Sequence, residues 1–100
     1  MTTTYNHEAI ELALYVDNDY ELYQLLPQYT ATLDKHWQRG RFDKARALVL
    51  LERFVQECAK KYHKEHGSPQ DKWYSVFTPV IRREVAEQLL DEYIDRMVGA

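Results

Sequence analysis

Residues 43–67, DKARALVLLERFVQECAKKYHKEHG, carry the pattern from which the fold is read. Leu48, Leu51, Val55, Cys58, Ala59 and Tyr62 recur every three or four residues, and at 3.6 residues per turn that spacing stacks them into one apolar stripe. Asp43 is placed to cap the start and Gly67 follows the last periodic residue, so one helix is expected up to His66. Val49, Leu50 and Phe54 widen the apolar arc well beyond the stripe. An arc that wide suits a central helix touched from several sides, or one that leaves a patch for a partner.

The same spacing continues on the N-terminal side. Leu22, Leu25, Leu26, Tyr29, Leu33 and Trp37 form the stripe of a second helix ending at Gly40, the expected left-handed stop. Asn18 followed by Glu21 reads as its capping box. Pro27 falls inside this run on the polar side while the apolar phase continues through it, so one helix kinked at Pro27 is expected rather than two. A first helix, about His7 to Val16, is expected to bury Ile10, Ala13 and Leu14, with Glu8 and Glu11 opposite, and to stop at Asp17-Asn18-Asp19. Residues 1–6 are expected to be disordered or frayed.

On the C-terminal side, Ser68-Pro69 reads as the start of a short helical turn through Trp73 and Phe77. Thr78-Pro79 repeats that signal for a last helix, Val80 to Val98, with Val85, Ala86, Leu89, Leu90, Tyr93, Ile94 and Met97 inward. No strand alternation of useful length and no internal repeat is visible. The expected fold is all-α: residues 1–100 as a single domain, a compact bundle of four long helices and one short helix.

Composition agrees. One hundred residues suit one core, and 45% hydrophobic with 13% aromatic residues supplies it, which excludes intrinsic disorder. No apolar run approaches the roughly 20 residues of a membrane span, and the start lacks a signal-peptide pattern. The single cysteine, Cys58, has no internal disulfide partner, and a cytoplasmic location is expected.

Charge is divided along the chain. All charged residues in the first 34 are acidic: Glu8, Glu11, Asp17, Asp19, Glu21 and Asp34. Residues 35–66 carry nine Lys or Arg against four acids, so the net charge of −3 conceals two opposed segments.

Several constellations follow. Arg46, Arg53, Lys60 and Lys64 share one arc of the third helix, a strip roughly 27 Å long that could follow phosphates. Lys35, Arg39, Arg41 and Lys44 precede it and extend the field. Glu57 interrupts the strip and the net charge is negative, so an ordinary solvated face weighs more. The acids Glu8, Glu11, Asp17, Asp19 and Glu21 offer a surface to a basic partner, although pairing with the basic middle of the chain explains them more simply. Tyr15, Tyr20 and Tyr23 straddle the edges of their stripes, and tyrosine anchors interfaces. Arg82 falls on the inward face of the last helix and needs an acceptor, so a buried ion pair with Asp17 or Asp19 is expected. His63 and His66 near Cys58 suggest a metal, but Cys58 lies on the apolar stripe, and the helix dipole accounts for two histidines in a last turn. No metal or other cofactor is assigned. Phosphate-binding glycine loops, nucleophile elbows and Cys–His arrangements with an orienting group are absent from the sequence, so the chain is read as non-catalytic.

Glu11-Leu12-Ala13-Leu14-Tyr15 through Asn18-Asp19 and Leu22-Tyr23, Arg41-Phe42-Asp43-Lys44-Ala45, Lys60-Lys61-Tyr62, and Phe77-Thr78-Pro79 with Arg82-Arg83-Glu84-Val85-Ala86 carry a resemblance. From about Glu11 to Leu90 the chain resembles small uncharacterised proteins encoded by phages, plasmids and other bacterial mobile elements. That resemblance implies an accessory protein of a mobile element and transfers no residue roles. Inhibitors of host defence complexes, anti-CRISPR proteins among them, recur in such settings.

Three functions are therefore expected to compete. The first is a protein-interaction module using Glu8, Glu11, Tyr15, Asp17, Asp19, Tyr20 and Tyr23, with inhibition of a host defence complex, as by an anti-CRISPR protein, as one form of it. The second is a nucleic-acid-binding accessory using Arg46, Arg53, Lys60 and Lys64, and the third a structural homo-oligomer.

Overall fold

Five helices form in the computed structural model, which describes residues 7–99: α1 His7–Asn18, α2 Tyr20–Gln38, α3 Lys44–His66, α4 Trp73–Val76 and α5 Pro79–Gly99. No strand occurs among the described residues, so the fold is all-α. Residues 1–6, expected to be frayed, lie outside the described range.

Although Val49 is 52% exposed, most of the wide apolar arc of α3 is explained by its position. It packs on α1, α2, α4 and α5, most extensively on α5. Ala47, Leu51, Phe54, Val55, Cys58 and Ala59 are sealed from solvent, while Leu48, Leu50 and Tyr62 line the margin. Around them close Leu12 from α1, Leu22 and Leu33 from α2, Phe77, and Val85 and Ala86 from α5. Burying each large apolar side chain contributes about 1.5–3 kcal/mol. α5 runs antiparallel to α3: Arg83 near its start lies 3.4 Å from Glu52, and Leu90 and Asp91 share a cleft with Lys44 and Leu48.

Local signals resolve unevenly. α2 is continuous through the exposed Pro27 and stops at Gly40, φ +67°. There the Gly40 N–H donates to the Trp37 carbonyl at 3.1 Å and the Arg41 N–H to the His36 carbonyl at 2.8 Å, the paired bonds of a Schellman stop. The cap of α2 is Asp19, not Asn18: its carboxylate accepts from the Leu22 N–H at 3.0 Å. Asn18 remains in α1 and donates to the Leu14 carbonyl at 2.9 Å. Asp43 precedes α3 without a side-chain cap, its carboxylate lying instead 3.8 Å from Arg46 Nε.

Ser68-Pro69 does not begin α4. The Asp71 N–H donates to the Ser68 carbonyl at 3.1 Å, closing a β-turn with Pro69 at the position its fixed φ favours. Gly67 is required by space rather than by backbone angle, since a Cβ there would come within 2.4 Å of the His63 ring.

The larger correction concerns α1. Ala9, Leu12 and Val16 are the buried residues, while Ile10 and Leu14 are 46% and 56% exposed. A helix with apolar residues at 9, 10, 12, 13, 14 and 16 offers more than one stripe, and packing against α3 and α5 selects the phase with Leu12 at its centre.

Candidate functional site

The elbow between α1 and α2 collects most of the residues expected to bind a protein. Asp19, in extended conformation (φ −91°, ψ 121°), is the single non-helical residue between the two helices. One carboxylate oxygen caps α2, and the other lies 2.9 Å from Lys61 Nζ on α3. Lys61 also donates to Glu65 at 2.8 Å and to the Tyr15 hydroxyl at 3.2 Å, with Glu21 at 3.9 Å. The Tyr15 hydroxyl in turn donates to the other oxygen of Glu65 at 2.5 Å. Tyr15 packs edge-on against Tyr62, ring centroids 5.0 Å apart, and Tyr62 donates to Glu11 at 3.4 Å.

The electrostatics of this node follow from Lys61 sitting among three carboxylates. Its hydrogen bonds to Glu65 and then Asp19 raise the ammonium pKa, and Lys61 is the chief cause holding Asp19 and Glu65 below the usual carboxylate range. Burial, then the hydrogen bond to Glu65, pushes the Tyr15 hydroxyl up to about 12. Side-chain exposures of 21% for Lys61 and 15% for Asp19 make theirs the one shielded pair; Glu65 and Glu21, at 41% and 78%, are open to screening. The node is a structural clasp tying the elbow to the end of α3.

The seven residues expected to bind a protein therefore divide. Asp19 and Tyr15 belong to the clasp, and Glu11 is engaged by His7 at 2.6 Å and by Tyr62. Glu8 is half-buried. Asp17 is exposed beside a cavity of about 140 Å3 that it shares with Glu92, whose carboxyl is raised by burial and then by Asp17. Tyr20 and Tyr23 project into solvent, 72% and 71% exposed. Sequence reasoning missed Lys61 as the hub and missed the outward face of Ile10 and Leu14; the spacing of Ala9, Leu12 and Val16 was the available signal for the second.

Arg82 does not pair with Asp17 or Asp19. Its guanidinium donates to the Phe77 carbonyl at 2.6 Å and stacks 5.0 Å from the Trp73 ring. Asp19 is taken by Lys61, and Asp17 faces the later part of α5 at Glu92 and Arg96, whereas Arg82 belongs to its first turn. The Phe77 carbonyl, in the link between α4 and α5, is the acceptor at hand.

The basic strip of α3 divides as well. Lys60 is 3.4 Å from Glu57 and lies over Trp73, while Arg53 and Lys64 are exposed. Lys60, Lys61 and Lys64 form one wall of an open groove of about 560 Å3 between α2 and α3, opposite Glu21, Gln24 and Gln28. Cys58 is buried, and burial pushes its thiol pKa up. Among the described residues no three His, Cys, Asp or Glu side chains converge on a metal position, and no helix is long and apolar enough to cross a membrane. Compared with models of protein families, with curated proteins and with solved structures, the chain matches none.

Proposed function

We propose that the chain is a non-catalytic protein-binding domain whose contact surface is the α1–α2 elbow. The observation that carries this reading is the second apolar face of α1. Ile10 and Leu14, one turn apart, remain exposed although the opposite face of the same helix is buried. Tyr20 and Tyr23 extend exposed surface onto α2, and Asp17 and Glu21 add carboxylates. Apolar and tyrosine anchors with an acidic margin suit a partner presenting apolar side chains among Lys or Arg. The clasp at Lys61 holds the elbow in one geometry before contact, which reduces the ordering cost of binding. The likeness to mobile-element proteins would place that partner in a host complex, with inhibition as the outcome of occupying its surface.

The test compares capture by wild type and by Ile10→Ser/Leu14→Ser from nuclease-treated lysate, with matched thermal denaturation. A partner retained by wild type and lost by the double variant, at unchanged stability, supports the elbow. Equal capture by both removes it.

A further inference from the structure

Folding redistributes the basic segment. Because α3 returns antiparallel to α2, Lys60, Lys61 and Lys64 are carried back to the acidic elbow, where Lys61 is consumed by carboxylates. The other half of the segment stays at the corner joining α2 to α3, about 28 Å away along the 19 residues of α2. Lys35, Arg39, Arg41, Lys44 and Arg46 are all exposed there. Among the described residues none of Lys35, Arg39, Arg41 or Lys44 forms an ion pair, and Arg46 has only Asp43 at 3.8 Å. Of the neighbouring acids, Asp34 accepts the Tyr93 hydroxyl at 2.6 Å, while Glu87 and Asp91 line a cleft beside Lys44 without an ion pair among the described residues.

Lys35 and Arg39 suit the negative end of the α2 dipole, but the dipole does not account for Arg41, Lys44 or Arg46. Exposed like charges gathered in one stretch of surface are stabilised by an external polyanion. We infer that this corner binds the phosphate backbone of a nucleic acid, independently of the elbow.

Three features select that class. Arginine supplies Arg39, Arg41 and Arg46, and its planar fork matches phosphate oxygens. Arg53, two turns beyond Arg46, is also exposed and continues the row along α3, as a linear array of phosphates requires. Membrane docking would favour exposed aromatic side chains, and the two at the corner are turned inward: Trp37 and Phe42 pack 5.0 Å apart, and Phe42 stacks on Tyr93 at 6.0 Å. These contacts and the Schellman stop at Gly40 set the course of the backbone at the corner.

Fluorescence anisotropy with a labelled duplex of arbitrary sequence tests this. Four phosphate contacts predict a log–log salt slope near −3.6, a loss of affinity of about 150-fold between 50 and 200 mM salt. Arg39→Glu/Arg41→Glu should weaken binding at least about 10-fold, and Arg39→Gln/Arg41→Gln should flatten the slope by about 2. The glutamine pair keeps the test valid if the glutamates disturb the end of α2, and Ile10→Ser/Leu14→Ser should bind as wild type. Absence of duplex binding at low salt overturns the inference, as does binding indifferent to both corner pairs. Tighter binding to phosphatidylserine vesicles or to polyglutamate than to duplex also overturns it, assigning the corner to a membrane or an acidic protein.

Discussion

Lys61 is where acidic and basic segments meet inside the fold, and its role is read through pH. Asp19 and Glu65 have folded pKa values depressed chiefly by Lys61. Their contribution to stability is complete above the ordinary carboxylate pKa of about 4 and is lost as pH falls through the depressed folded values. Lys61→Met should therefore show a deficit in Tm at pH 7 that shrinks below about pH 3; a deficit independent of pH would contradict the pairing. On the alkaline side, Tyr15 is raised to about 12 by burial, so the native state holds its proton while the unfolded chain loses it near pH 10. Stability falls across that window, and Tyr15→Phe should flatten the fall in an alkaline denaturation series. Glu92 has the opposite sign to the clasp: burial and Asp17 raise its pKa, so its charge opposes folding at neutral pH. Glu92→Gln is expected to raise Tm at pH 7, and to lose that advantage as the wild-type carboxyl is protonated on acidification. That the acidic N-terminal residues pair with the basic middle was legible in the chain; which residues meet was not, because Lys61 lies 42 residues from Asp19 and only the packing of α3 against the elbow brings them together.

At the scale of the helix, α1 and the stop of α2 make contrasting cases. Leu12 is fully buried, so Leu12→Ala should cost about 2–5 kcal/mol, whereas Ile10→Ser with Leu14→Ser should stay within about 1 kcal/mol of wild type by chemical denaturation. The reverse order would restore the face first expected for α1. Gly40→Ala meets no atom within 4 Å, so its expected cost, about 1–2 kcal/mol, isolates the strain of a positive φ. Where one physical cause acts alone the sequence was readable: the α3 stripe, Gly40 as a stop, and Pro79 starting α5. It failed where two readings competed locally. Asn18 and Asp19 could each cap α2, α1 had two apolar phases, and Arg82 had a backbone carbonyl closer than any carboxylate.

For the molecule as a whole, the charge division of the sequence survives in part. The antiparallel return of α3 cancels charge at the elbow through Lys61, while at the corner only Arg46 has an ion-pair partner, Asp43 at 3.8 Å, among the described residues. With described residues extending over 46 × 30 × 21 Å, the two ends of α2 stand far enough apart to hold different partners at once. The central claim is that contact with a protein belongs to the elbow, separate from the corner. Its most direct test is quantitative capture from lysate by wild type, by Ile10→Ser/Leu14→Ser and by Arg39→Gln/Arg41→Gln, each assayed for bound protein after nuclease and for bound nucleic acid without it. The account predicts that the elbow variant loses the protein and keeps the nucleic acid, and that the corner variant does the reverse. Retention of the protein by a stably folded elbow variant, or its loss with the corner variant alone, would contradict it.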